Sequence, residues 1–155
     1  MIDESDDPLQ IDRMVCFQIY AASNMLTRLY RPILSALGLT YPQYLVMLVL
    51  WESHPDYRPR SVGELGTRLH LDSGTLTPLL KRMEQSGLIA RTRDREDERR
   101  VLASLTEKGR ALRQQALPVP DTLTKKLGLS PHDLVGLRDT ITRMVETMAV
   151  SPRLD

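Results

Sequence analysis

Two groups of side chains in this 155-residue chain are equipped for chemistry. The first is a single thiol, Cys16. Its thiolate would be a nucleophile open to oxidation. One thiol excludes an intrachain disulfide and a CxxC metal or redox site. The histidines at 54, 70 and 132 lack zinc-ligand spacing, so neither a metal nor a cofactor is expected. Taken alone, Cys16 reads as a small buried hydrophobe, the commonest fate of a free cysteine. The second group is a set of hydroxyl and basic side chains. Ser73, Thr75, Thr77, Lys81 and Arg82 come first, then Arg91, Arg93, Arg95, Arg99 and Arg100. Side chains of these types hydrogen-bond base edges and neutralise phosphates. Individually, they equally suit a solvated surface.

Charge alone does not decide between those readings. The formal net charge is only +1, whereas a basic protein gives the clearer electrostatic footprint on nucleic acid. Residues 1–13 hold five acids against Arg13, and residues 60–100 hold nine Lys/Arg against seven acids. The basic excess is therefore local and small. An acidic N-terminus does not fit a secretory signal, and no apolar run approaches the ~20 residues of a membrane span. A cytoplasmic protein with no membrane partner is expected.

The order of elements is more specific than any one of them. After an acidic lead-in over 1–10, apolar residues at 15, 19, 22, 26, 29 and 33 predict a long helix capped by Asp12 and stopped by Gly38. Thr40, with Pro42 in the first turn, opens a helix that is apolar nearly all round up to Trp51. Residues 53–60 contain two prolines and read as a loop. Ser61 and Glu64 have the spacing of a capping box. Leu71-Asp72-Ser73 makes a turn into a second helix, capped by Asp72 or Ser73, which buries Leu76, Leu79, Leu80 and Met83 and ends at Gly87. Pro78 falls near the fourth or fifth position of that helix, an awkward place for a residue without an N–H. The period then changes to two. Residues 88–93 and 100–105 read as a hairpin whose tip, 94–99, is too polar to be buried. Thr106 caps the next helix, Pro118 and Pro120 interrupt it, and Ser130-Pro131 opens the last.

Capping box, turn, amphipathic helix, glycine stop and arginine hairpin in this order describe a winged helix-turn-helix. The fold class is mainly α with a small β wing. The second helix would enter the major groove with Ser73, Thr75, Thr77, Lys81 and Arg82, and wing arginines suit the minor groove.

At these residues the chain resembles the MarR family of bacterial transcription regulators. The segment Asp94-Arg95-Glu96-Asp97-Glu98-Arg99-Arg100 and the following Leu105-Thr106-Glu107-Lys108-Gly109 carry the likeness. Three stretches extend it to the organic-hydroperoxide-resistance regulators: residues 16–21, residues 39–45, and the run Leu71 to Gln85, in which Pro78 matches the pattern. The resemblance spans nearly all of 1–155. It implies a DNA-binding lobe over 42–105 and dimerisation helices over 11–38 and 106–149. It further implies a homodimer on a palindromic double-stranded operator, and a repressor released when Cys16 is oxidised by organic hydroperoxide. Tyr20 and Tyr30 fall where two tyrosines hydrogen-bond the thiol.

Simple geometry adds to this. If Asp12 caps the first helix, Cys16 lies in its first turns, where the positive helix end favours thiolate and Asp12 opposes it. Tyr20 is one turn away on the same face. Tyr30 lies fourteen residues on, roughly 21 Å along a straight helix, so only a partner's Tyr30 can reach Cys16. With no second cysteine the chain looks like the one-cysteine type, whose sulfenate meets a low-molecular-weight thiol or over-oxidises. Three other readings stand beside this one. The first is a regulator answering a small phenolic ligand, with Cys16 incidental. The second is a thiol peroxidase, an enzyme for which no acid/base constellation is visible. The third is a helical dimerisation protein without DNA affinity.

Overall fold

The computed structural model describes residues 9–150. The acidic lead-in expected over 1–10 falls outside them except for Leu9 and Gln10. The chain divides into two compact units, one running to Val119 and one from Pro120.

Among the described residues the first unit's earliest element is a 3₁₀ turn, Ile11–Arg13, before helix α1, Val15–Ser35. This corrects the expected cap. Asp12 lies inside the 3₁₀ turn, and Met14 takes the N-cap position with no side-chain bond. A carboxylate held in a tighter preceding turn does not reach the N–H groups of α1. The helix closes as expected near Gly38, which adopts φ +66°. The Gly38 N–H donates to the Ser35 carbonyl at 3.0 Å and the Leu39 N–H to the Leu34 carbonyl at 3.1 Å, a glycine-dependent stop.

Helix α2, Tyr41–Trp51, begins with the Thr40 N–H donating to Gln43 Oε1 at 2.9 Å. It buries Tyr44, Val46, Met47, Val49, Leu50 and Trp51, so it is the central helix of the lobe. Helix α3, Val62–Leu69, starts at the expected capping box. Glu64 N–H donates to Ser61 Oγ at 3.1 Å, and Ser61 N–H donates to Glu64 Oε2 at 2.6 Å. The turn to α4, Ser73–Gln85, is tight. A Cβ on Gly66 would stand 2.7 Å from the Leu71 carbonyl oxygen.

The loop expected over 53–60 ends in a short strand, β1, Arg60–Ser61, and the expected hairpin is therefore two-thirds of a three-stranded antiparallel sheet. Strands β2, Ile89–Arg93, and β3, Val101–Leu105, pair in the register Arg91 to Ala103. β3 is central and β2 is an edge, because β1 takes the other side of β3. Pro78 occupies the sixth position of α4, counted from Ser73, not the fourth or fifth. It has no N–H to offer the Gly74 carbonyl four residues back. Gly74 is exposed, so water can serve that carbonyl.

The core is one cluster drawn from the end of α1, α2, α3, α4, the sheet and α5, Glu107–Ala116. Leu34, Met47, Leu65, Leu76, Leu80 and Met83 are wholly enclosed. Trp51 Nε1 donates to the Gly109 carbonyl at 3.0 Å, tying α2 to α5. Gly109 is required there, since a Cβ would overlap the Leu88 carbonyl. Helix α6, Val119–Leu127, begins with Val119 in this core.

In the second unit, Ser130 caps helix α7, Pro131–Val150. The Asp133 N–H donates to Ser130 Oγ at 3.1 Å, and Ser130 Oγ donates to Asp133 Oδ2 at 2.6 Å. No residue of α7 is buried, and Val135, Leu137, Ile141 and Met148 stand exposed. No helix of the described residues is long and apolar enough to cross a membrane.

Candidate nucleic-acid interface and thiol site

Helix α4 separates its two faces cleanly. Leu76, Leu79, Leu80 and Met83 are buried, while Ser73, Thr75, Thr77, Lys81, Arg82 and Gln85 are exposed. The N-terminus is fixed by Asp72, whose Oδ1 accepts from the Thr75 N–H at 2.8 Å. The Thr75 hydroxyl also donates to Asp72 Oδ2, at 3.1 Å. These two bonds from Thr75 lower the pKa of Asp72, so a charged carboxylate sits at this helix end. Ser73, Thr77, Lys81 and Arg82 have no such commitment, and their side chains project freely.

The wing tip is an ordered turn built by its own acids. Glu96 N–H donates to Asp94 Oδ1 at 3.0 Å, Arg99 N–H to Asp97 Oδ1 at 3.1 Å, and Arg100 N–H to the Asp97 carbonyl at 2.8 Å. Asp94 and Asp97 thus serve the backbone of the turn. The arginines differ among themselves. Arg95 is exposed. Arg99 is almost fully exposed, 96%, and stands 3.8 Å from Asp97. Arg93 Nη1 donates to the Glu98 carbonyl at 2.9 Å and stays exposed. Arg100 lies between Asp94, at 3.4 Å, and Glu64, at 3.8 Å. Arg91 is half-buried, and Nε and Nη2 both donate to Glu84 Oε2, at 3.0 and 2.8 Å. Sequence pattern does not single out Glu84. Its partner lies seven residues away across a chain reversal, which no local spacing rule reaches.

The thiol end of the chain is different. Cys16 is the second residue of α1, and it is exposed rather than buried. Within one chain it is therefore not part of the core. Tyr20, one turn on, is also exposed. Tyr30 stacks on Tyr41 with ring centroids 4.6 Å apart and lies 5.8 Å from the Tyr44 ring. Burial, then the neighbouring Tyr41 and Tyr44 hydroxyls, push the Tyr30 pKa up to about 12. Tyr30 therefore keeps its proton and remains a donor at any physiological pH. Helix α1 is continuous from Val15 to Ser35, so Cys16 and Tyr30 are held roughly 21 Å apart in one chain.

Cys16, Tyr20, Ser23, Thr27, Tyr30 and Leu34 recur at spacings of four and three, which places them on one stripe of the helix. At the C-terminal end this stripe enters the core through Leu34. At the N-terminal end, where Cys16 and Tyr20 lie, it is bare. Among the described residues no group of histidines, cysteines or carboxylates could hold a metal ion.

Comparison with known proteins agrees with this layout. Residues 28–116 match the family described as transcriptional regulator SarA/Rot. The organic hydroperoxide resistance transcriptional regulator of Bacillus subtilis is 45% identical over 142 residues, covering 92% of this chain and 94% of that one. A solved structure of reduced AbfR bound to DNA superposes with a TM-score of 0.70 at 30% identity, covering 86% of this chain and 91% of that chain. The overoxidised form of AbfR, also bound to DNA, gives 0.67 at 33% identity over 86% and 90% of the two chains; AbfR is a protein of Staphylococcus epidermidis.

Proposed function

The chain belongs to the organic-hydroperoxide-resistance branch of the MarR family of transcription regulators, and from that premise we propose how its residues divide the work of a peroxide-responsive repressor. The protein is a DNA-binding regulator and not an enzyme. Two copies present their winged lobes to the half-sites of a palindromic duplex. The lobe is the 42–105 segment, and the 11–38 and 106–149 segments hold the dimer. Helix α4 enters the major groove with Ser73, Thr77, Lys81 and Arg82, and Thr75 fixes its N-terminus. Arg93, Arg95 and Arg99 serve the wing. The protein works in the cytoplasm, where duplex DNA and peroxide meet.

Sensing starts at Cys16. Its thiolate sulfur attacks one peroxide oxygen. The S–O bond forms, the O–O bond breaks, and the alkoxide leaves as an alcohol after taking a proton. Sulfur is oxidised by two electrons and the hydroperoxide is reduced. A low-molecular-weight thiol then condenses with the sulfenic acid, giving a mixed disulfide and water. Tyr20 and the partner's Tyr30 donate hydrogen bonds to the thiolate before oxidation. Their loss of that acceptor shifts the dimer helices and with them the separation of the two α4 helices, which operator spacing does not tolerate.

The observation that carries this reading is the exposed Cys16 on a bare helix stripe whose second tyrosine, Tyr30, is out of reach in the same chain. The test is an operator titration with and without cumene hydroperoxide. Peroxide should release the wild-type protein and leave Cys16→Ser bound. An identical response from both would remove Cys16 from the mechanism.

A further inference from the structure

The geometry points to Glu84 and Arg91 as a positioning pair that locks the wing to the recognition helix, with Arg91 withheld from DNA. The proposal rests on the DNA-binding reading above. Glu84 lies in the last turn of α4 and Arg91 in the middle of β2, with the Gly87 stop between them. One carboxylate takes three donors. The Arg91 N–H reaches Oε1 at 3.1 Å, and Nε and Nη2 reach Oε2 at 3.0 and 2.8 Å.

The backbone bond matters as much as the ion pair. β2 is an edge strand, so the Arg91 N–H, which donates to Glu84, points away from β3 into a side that has no neighbouring strand. Glu84 thus occupies a ladder position on the open edge. A swing of β2 about the Gly87 turn would break all three bonds together. Of the five wing arginines, Arg91 alone is not exposed. Two N–H groups of the planar guanidinium converge on Oε2 while the backbone N–H takes Oε1, so both carboxylate oxygens are engaged.

An ion pair at a surface adds little to stability. The worth of this one lies in orientation. Recognition helix and wing tip must enter neighbouring grooves at once, and the angle between α4 and β2 sets whether they can. Phosphate-seeking arginines and this arginine are therefore separable by their salt dependence.

The test uses a duplex selected from a random-sequence pool by the wild-type protein, and an unselected random duplex as control. Glu84→Gln and Arg91→Gln should each weaken binding to the selected duplex roughly fivefold, and the double variant should be no worse than either. The slope of affinity against salt should stay at its wild-type value, and binding to the random duplex should not change. Arg91→Lys should not restore the selected-site affinity, because one ammonium cannot replace the planar fork. The proposal is overturned if Arg91→Gln lowers the salt slope by about 0.9 while Glu84→Gln binds as tightly as wild type or tighter. A second measurement needs no DNA. Amide hydrogen exchange over residues 89–93 should accelerate in Glu84→Gln relative to wild type. Unchanged protection there overturns the lock whatever the duplex data show. Absence of any salt-dependent duplex binding by the wild type would instead remove the DNA reading, and the exchange measurement would still decide the lock.

Discussion

At α3, α4 and α5 each helix start is completed within one chain. Ser61 is answered by Glu64, Asp72 caps Thr75, and Thr106 Oγ1 accepts from the Gly109 N–H at 3.1 Å. At the free end of α1 nothing comparable occurs. Met14 caps without a side-chain bond, and Cys16 and Tyr20 stand exposed with Val15. One region presents a finished surface, and the other leaves its side chains uncovered in a single chain. The difference teaches where each activity resides. DNA binding needs only a fold that positions side chains, so one chain can build it. In the proposed mechanism the peroxide response draws on a donor some 21 Å away along the same helix, so it would wait for a second chain.

Two tyrosines offer the sharpest contrast. Tyr44 is 2% exposed in the core and Tyr20 is 66% exposed on α1. Tyr44→Ala should cost about 3–5 kcal/mol, the range for emptying a packed aromatic site, and denaturant unfolding would register it at any protein concentration. Tyr20→Ala should leave the lobe within about 0.5 kcal/mol of wild type and slow release by cumene hydroperoxide. A lobe equally damaged by both would break the distinction between the two regions.

The next effect is on rate. Tyr30→Phe keeps the ring stacked on Tyr41 but removes the hydroxyl. Oxidation of Cys16 should slow roughly tenfold, the effect of one hydrogen bond to a charged group at about 1.5 kcal/mol, with operator affinity unchanged. A heterodimer of one Tyr30→Phe chain and one Cys16→Ser chain separates cis from trans. With the tyrosine acting in trans, its single remaining thiol meets the intact Tyr30 of the other chain and should react at the wild-type rate. A heterodimer as slow as the Tyr30→Phe homodimer would show that the tyrosine acts within its own chain.

Within the DNA-facing region a smaller effect grades the arginines. Arg95→Ala should weaken duplex binding and reduce the salt slope by about 0.9, the change expected when one phosphate is no longer neutralised. Arg99→Ala should do the same, since at 3.8 Å Asp97 holds it loosely. Equal slopes for Arg95→Ala and wild type would place the tip outside the interface.

The same contrast explains which features are legible in the sequence. The caps at Ser61 and Thr106 are legible, and that of α4 is legible to within one residue, Asp72 or Ser73, because a side chain reaching three residues onward is a local event. The stripe Leu76, Leu79, Leu80, Met83 is legible because one period places all four on one face. Strand β1 is not, since two residues become a strand only by pairing with Ala103 and Leu102, far along the chain. The cap of α1 is misleading because a 3₁₀ turn and an α-helical start look alike when both carry an acid near an apolar run. Glu84 is hidden for the reason that hides most long-range polar pairs: its carboxylate answers a strand edge, and no spacing encodes an edge. The exposure of Cys16 is equally hidden, because a bare stripe and a covered one share the same periodicity.

The weakest effect expected at ordinary pH becomes measurable in alkali, and it tests the point where the two regions meet. Tyr30 lies on the stripe shared with Cys16 yet packs on Tyr41 and Tyr44 of α2. Burial raises its pKa from 10.0 to about 12. The unfolded chain therefore loses this proton first as pH rises, and between about pH 10 and 12 the unfolded state binds fewer protons than the folded one. The stabilisation is fully present below pH 10 and drains away as pH approaches 12. Tyr41 and Tyr44, also raised by burial, act in the same direction. Urea unfolding across this window should show a steeper alkaline loss in the wild type than in Tyr30→Phe, and absorbance of tyrosinate should show a late-titrating group that the variant lacks. If the two proteins lose stability in parallel, Tyr30 titrates like an exposed phenol. The hydroxyl that the proposed mechanism directs to a partner's Cys16 would then not be held by Tyr41 and Tyr44.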